Sequence, residues 1–272
     1  MKTAFVFFLA ILSCHISSAQ REKKYLGAEV RTFETFKYGK FEVRMRSCKG
    51  SGVVSSFFTF YDEPDFPQNW NEIDVEMLGR YDHEVQFNTI IGRHNMKEHR
   101  QTLDFNPHED FHVYGFEWYP DSIVWFVDGV RVYAQSGDRI KKMNQPQKIM
   151  MNVWPPNIWA WSGVWDESIL PVCAAYDYVK YSAYTPEKDE IFTHRWTEQF
   201  KDLDYGKWQK ATHTFKENNA EFIPDNAVIQ DGYLGSAEKL KFNICKKPAL
   251  SARQAGFLLS SFQIRLSDPE LC

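Results

Sequence analysis

Apolar and polar residues alternate in short runs along most of the chain, and the runs are too brief for helices. Phe41-Glu42-Val43-Arg44-Met45-Arg46 repeats every second residue, as does Thr32 to Thr35, which is the period of a half-buried strand. Gly52 to Phe60 is more continuously apolar and aromatic, as a strand inside a sandwich is. Val85 to Ile91, His112 to Trp118, Ile123 to Val127, Val130 to Ala134, Lys148 to Trp154 and Ala175 to Tyr184 extend the series. Asp128-Gly129 favours a tight primed turn and predicts a hairpin. Pro64 and Pro67 mark Asp62 to Gln68 as a loop, and Pro155-Pro156-Asn157 marks another. No long 3.6-residue period appears. Repeated short strands at near-regular spacing predict an all-β fold, a sandwich or jelly roll.

Thr185 to Glu190 is a polar joint, followed by a second block from Trp196 to Leu234. Gln209 to Phe215 and Ala220 to Ile223 read as strands there, with a turn at Asp231-Gly232. The block has too few apolar residues to build its own core, so it is expected to pack into the first. A chain of 272 residues then makes one main domain, residues 20–234, with the joint near 185–192. Residues 235–272 form a tail in which Leu240, Phe242 and Ile244 alternate as one strand, while Ala255 to Leu266 shows no period.

Residues 1–19 read as a signal peptide: Lys2, an apolar run from Ala4 to Leu12, and Ser17-Ser18-Ala19 before Gln20. The chain is expected to be secreted or periplasmic; lipoprotein-type processing at Cys14 is the other reading. The leader is too short to span a bilayer, and no membrane span is expected. Cleavage would leave Cys48, Cys173, Cys245 and Cys272, with three possible disulfide pairings and spacings that match no zinc pattern.

Charge and composition narrow the partners. The net charge is −4 with both signs interspersed, so the basic stripe of a nucleic-acid binder is missing. Aromatic residues reach 16%, which suits β-sheet cores and sugar platforms alike.

The chemistry concentrates in Glu72-Ile73-Asp74-Val75-Glu76. Strand alternation puts the three acids on one face, where they repel one another, and the two apolar residues on the other. An edge strand guarded by charge would look similar. Ile73, Val75, Met77 and Leu78 instead favour an interior strand, and Trp70 and Trp154 add aromatic surface of the kind that lines sugar sites. His83, His94, His99, His108 and His112 show no ligand spacing and read as solvated loop histidines.

The E-x-D-x-E strand resembles the signature of family 16 of the glycoside hydrolases. Tyr38 to Met45, Gly52 to Phe58, Gln86-Phe87-Asn88, Trp125 to Gly129 and Ile149 to Trp154 match as well, so the resemblance covers Leu26 to Tyr184. The short, unbulged spacing is that of the lichenases, endo-1,3-1,4-β-glucanases, and of xyloglucan-active relatives; laminarinases more often carry a bulge. The second block resembles a segment that usually precedes the Gly39 strand, so the order looks circularly permuted.

The resemblance implies a jelly-roll sandwich of two antiparallel sheets with a concave substrate groove. It implies a retaining, endo-acting mechanism on mixed-linkage β-glucan, with Glu72 as nucleophile, Glu76 as general acid/base and Asp74 between them. Laminarinase or xyloglucan activity on the same site is the first alternative. A non-catalytic carbohydrate-binding module is the second, and three crowded acids argue against it. Trp70 and Trp154 would offer faces to sugar rings, with a core role equally open for either, and Glu29, Asn88, Asn152 and Trp161 match substrate-contacting positions. No catalytic cofactor is implied. Asp177, with Gly52 as a carbonyl donor, matches a structural calcium site. The enzyme is expected to act as a monomer.

Overall fold

A computed structural model describes residues 23–62, 68–93, 95–230 and 239–246. The leader, Cys14, Cys272, Pro64, Pro67, His94, the Asp231-Gly232 turn and the Ala255 to Leu266 stretch lie outside those residues. Sixteen strands carry the fold among the described residues. The first ten are β1 (Tyr25–Phe36), β2 (Gly39–Arg46), β3 (Val54–Phe60), β4 (Asn71–Leu78), β5 (Glu84–Ile91), β6 (His99–Thr102), β7 (His112–Trp118), β8 (Ser122–Val127), β9 (Val130–Ser136) and β10 (Gln147–Trp154). A one-turn helix α1 (Trp159–Ser162) follows, and then β11 (Val172–Tyr184), β12 (Phe192–Glu198), β13 (Trp208–Lys210), β14 (Ala220–Phe222), β15 (Ala227–Gln230) and β16 (Lys239–Lys246).

Hydrogen bonding orders them as β6-β5-β4-β3-β10-β1 on the front and β16-β11-β2-β7-β8-β9 on the back. This is the expected all-β jelly roll, with two departures. The sheets are joined rather than separate, because β16 pairs with β11 on the back and with β1 through Tyr25 and Leu26 on the front. One short pair is parallel, β14 against the start of β1. The opposite edges meet through side chains: Gln135 on β9 donates to the Lys97 carbonyl, and the His99 ring on β6 stacks 3.8 Å from that of Tyr133 on β9.

Alternation produces the layers directly. Phe41, Val43 and Met45 point into the core from β2 and Ile73, Val75 and Met77 from β4, all without solvent contact, while Arg44 and Arg46 face outward. Asp128 and Gly129 both adopt positive φ, 48° and 79°, and close the β8–β9 hairpin as the primed turn requires. Gly115 in β7 leaves no room for a side chain, since a Cβ there would meet the Phe41 carbonyl at 2.1 Å.

Two buried polar side chains tie the back sheet to the front. Trp125 on β8 donates its indole N–H to the Asp74 carbonyl at 3.0 Å. Tyr176 on β11 places its hydroxyl 3.1 Å from the Ser56 carbonyl and 3.2 Å from that of Asn152. The functional face is therefore braced from beneath.

The second block packs into the first, as its composition demanded. Trp208 on β13 is fully buried in the common core, and β13 pairs with β1. The sheet continues past residue 234: β16 forms where Leu240, Phe242 and Ile244 alternate, and Phe242 and Ile244 are fully buried. Cys48 and Cys173 carry free thiols, and the Cys245 sulfur lies 3.6 Å from the Asn226 amide. Among the described residues no helix is long and apolar enough to cross a membrane.

Candidate active site

Strand β4 lies inside the front sheet, paired without a register break to β3 and β5. Glu72 stands between Phe60 and Ile90, Asp74 between Phe58 and Asn88, and Glu76 between Ser56 and Gln86. The guarded-edge reading is thereby excluded. All three acids line a groove of about 1120 Å³ across the front sheet. That space exceeds an ordinary small-molecule pocket and suits an extended ligand. A smaller cavity of about 540 Å³ around Asn71 and Asn144 has no carboxylate among the described residues that line it.

The surroundings disfavour charge on these acids. Burial raises Glu72 to about 7, opposed by the Trp70 indole N–H, which donates to its Oε2, and by a hydrogen bond from Asp74. Asp74 is held well above the carboxylate range, first by burial and then by the charges of Glu72 and Glu76. It is the proton-bearing partner of Glu72. Glu76 is raised to about 8 by burial, then by Glu72 and Glu98, while the Gln86 amide, 3.1 Å from its Oε2, pulls the other way. Glu76 thus holds its proton to higher pH than an ordinary carboxyl. Burial is the largest cause for all three, Asp74 lying buried in the sheet and Glu72 and Glu76 half-buried on the groove floor.

The substrate-contact candidates come together here. Glu29 on β1 is buried opposite Asn152 on β10, accepts from its amide at 3.3 Å, and is raised to about 7 by burial, with Arg31 opposing. Its Oε1 lies 3.2 Å from Arg31 but is not aligned for a hydrogen bond. The carbonyl oxygens of the buried Asn88 and Asn152 side chains have no hydrogen-bond partner. Trp154 lines the groove and packs against Phe215 at 5.0 Å and Trp161 at 6.0 Å.

Some contributors had no local signal. Arg31 lies beside a predicted strand, Glu98 precedes β6, which the sequence did not predict, and Gln86 lies in a matched stretch without being singled out; nothing in their spacing pointed at the acids. His213, Phe215 and Glu217 come from the second block and form part of one wall. The Arg31 guanidinium lies 2.9 Å from His213 Nδ1 and 3.0 Å from Asp62.

One expectation needs correction. The histidines are not simply solvated: His108 joins Ser47 to the Tyr81 carbonyl, and His112 stacks 3.4 Å from Phe105 and pairs with Asp128 at 2.7 Å. His99 belongs to β6 rather than a loop. Asp177, taken as a calcium ligand, pairs with Arg44 across a bulge between β11 and β2. A cation there would compete with that guanidinium for the Asp177 carboxylate. Gly52 uses its N–H on the Ser162 carbonyl in a tight turn with φ +83°. Among the described residues no group of three or more His, Cys, Asp or Glu is placed to hold a metal ion.

Carboxyl groups in a row on the floor of a long, aromatic-walled groove define a jelly-roll protein of the glycoside-hydrolysing class. The profile of glycosyl hydrolases family 16 matches residues 14–167, and the chain belongs to that family. It is 34% identical over 233 residues to a beta-glucanase of Fibrobacter succinogenes, covering 83% of this chain and 66% of the relative. A beta-glucanase of Brevibacillus brevis is 41% identical over 162 residues, 59% of this chain and 61% of the relative. The chain thus spans less than two thirds of the length of these relatives. Among solved structures, the Bacillus licheniformis beta-glucanase superposes with a TM-score of 0.50 at 38% identity, covering 56% of this chain and 70% of that one.

Proposed function

We propose that the protein is an endo-acting, retaining hydrolase of mixed-linkage 1,3-1,4-β-glucan. The observation that carries this reading is the row Glu72, Asp74, Glu76 on the groove face of β4, with the Gln86 amide on the acid at one end and the Trp70 indole N–H on the acid at the other. Glu72 attacks the anomeric carbon as Glu76 passes its proton to the leaving oxygen, breaking the glycosidic bond and forming a glycosyl ester. A water then attacks the same carbon, Glu76 takes its proton, and Glu72 leaves as carboxylate. Asp74, protonated and bonded to Glu72, restrains the nucleophile and keeps a third charge out of the site.

The substrate assignment is supported by the beta-glucanase relatives and by the unbulged strand, which pairs with both neighbours without a shift. The Fibrobacter match takes in 83% of this chain against 59% for the Brevibacillus match, which supports our reading that the order of the second block after the catalytic strands, a permuted one, is a feature of this chain rather than an accident of its length. We also read the enzyme as an exported monomer: the leader supports export, and the groove is complete within one chain. Glu72→Gln is expected to abolish release of reducing ends from lichenan while calorimetry still detects oligosaccharide binding; persistent turnover would refute the nucleophile. Wild-type activity on laminarin equal to that on lichenan would refute the substrate.

A further inference from the structure

Gln86 stands opposite Glu76 in the register of β4 and β5 and is only 4% exposed. Its side-chain amide makes two contacts. Nε2 donates to Glu76 Oε2 at 3.1 Å, and Oε1 accepts from the Trp161 indole N–H, also at 3.1 Å. An indole N–H can only donate, so it is satisfied by the amide oxygen alone. The NH2 group is then left for the acid.

We propose that Trp161 is a positioning residue: by holding the Gln86 amide in one of its two orientations, it keeps a donor facing Glu76 and so sets how readily that carboxyl gives up its proton. This rests on the reading of Glu76 as the general acid/base. Trp161 sits on α1, its ring 6.0 Å from that of Trp154 and its carbonyl 3.4 Å from Arg80 Nη1. The loop that forms the far wall of the groove is thereby wired to the acid.

Electrostatics make the orientation consequential. Glu76 faces Glu72 and Asp74 along its own strand and Glu98 beside β6, all acids. Arg100 on β6 shares the groove but is committed to Glu84 and lies over the Tyr81 ring. His213 and Glu217 occupy the other wall, with His213 held by Arg31. Gln86 is the neighbour that favours the ionised form of Glu76. Without the indole N–H, a half-turn of the amide presents its oxygen instead, which accepts from the protonated carboxyl. Loss of the donor and reversal of the amide both favour the proton staying on.

The test is the pH dependence of kcat/KM on soluble mixed-linkage β-glucan for Trp161→Phe, Gln86→Met and the double variant, with circular dichroism confirming the fold. The basic limb, which reports the general acid of the free enzyme, should move up by roughly one pH unit in each single variant. The double variant should move no further than Gln86→Met, because both act through one amide. An unmoved limb in either single variant, a change confined to KM, or additive shifts in the double variant would overturn the proposal. Glu76→Gln separates the two readings. If it hydrolyses at the wild-type rate, the acid/base assignment fails; if it is inactive and the limbs stay put, only the role of Trp161 fails.

Discussion

Glu76→Gln should cost the enzyme its activity and make the fold more stable, and the pH dependence of that gain follows from the site. The carboxyl ionises at about 8 in the folded protein against an ordinary 4.5. A group raised on folding supports stability fully below its unfolded value, and that support is lost as pH rises through the folded one. At pH 8 the unfolded chain carries an ionised Glu76 at no cost, whereas the folded chain must either hold the proton or bury the charge. At about 1.36 kcal/mol per pH unit, the penalty has an upper limit of roughly 4 kcal/mol. Glu72 and Asp74 share the same protons, so removing one acid should recover about 1 to 2 kcal/mol, a rise of roughly 3 to 6 °C in Tm for a domain of this size. Thermal melts followed by tryptophan fluorescence would read it. At pH 4 the carboxyl is protonated in both states and the two proteins should melt together. Equal melting at pH 8, or the same gain at pH 4, would refute the reasoning, the latter pointing to packing rather than charge.

Two further predictions test how the face is supported. Trp125→Phe removes the buried bond to the Asp74 carbonyl and leaves a gap beside Phe87, and should cost about 2 to 4 kcal/mol in urea melts while lowering kcat more than KM; unchanged values of both would show that the brace is idle. Truncation after Leu234 removes β16 and with it Phe242, whose ring lies 4.8 Å from that of Tyr176, and Ile244; each buried side chain is worth roughly 1.5 to 3 kcal/mol. The shortened chain should melt at least 10 °C lower or fail to fold, and a melt within 2 °C of the full chain would refute the place given to the strand.

Much of the fold was legible because a strand writes its burial into every second residue. The faces of β2 and β4, the hairpin at Asp128-Gly129 and the row of three acids all follow from spacing within a few residues. Family resemblance then pointed to Glu29, Asn88, Asn152, Trp154 and Trp161, which the structure gathers in one groove with the acids. The ion pair of Asp177 with Arg44 was not legible, because it depends on pairing between β2 and β11, more than a hundred residues apart in the chain. The histidines were misread for a related reason. Polar spacing marks a side chain as able to meet water, but a ring such as His112 can stack on a neighbour that only the folded chain supplies.

The sequence by itself determined which residues share a face, and so that Glu72, Asp74 and Glu76 would stand together. Tertiary structure decided what stands around them. Gln86 meets Glu76 through the β4–β5 register, Trp161 reaches Gln86 across a loop, and His213 and Phe215 arrive from a block more than a hundred residues downstream. The same holds for β16, whose alternation was visible while its partners β1 and β11 were not. Local periodicity fixes the side of a strand, but which strand lies next to it is settled by burying one common core. Protonation belongs to that second level, since the charge a carboxyl can bear depends on how much water the assembled groove leaves it.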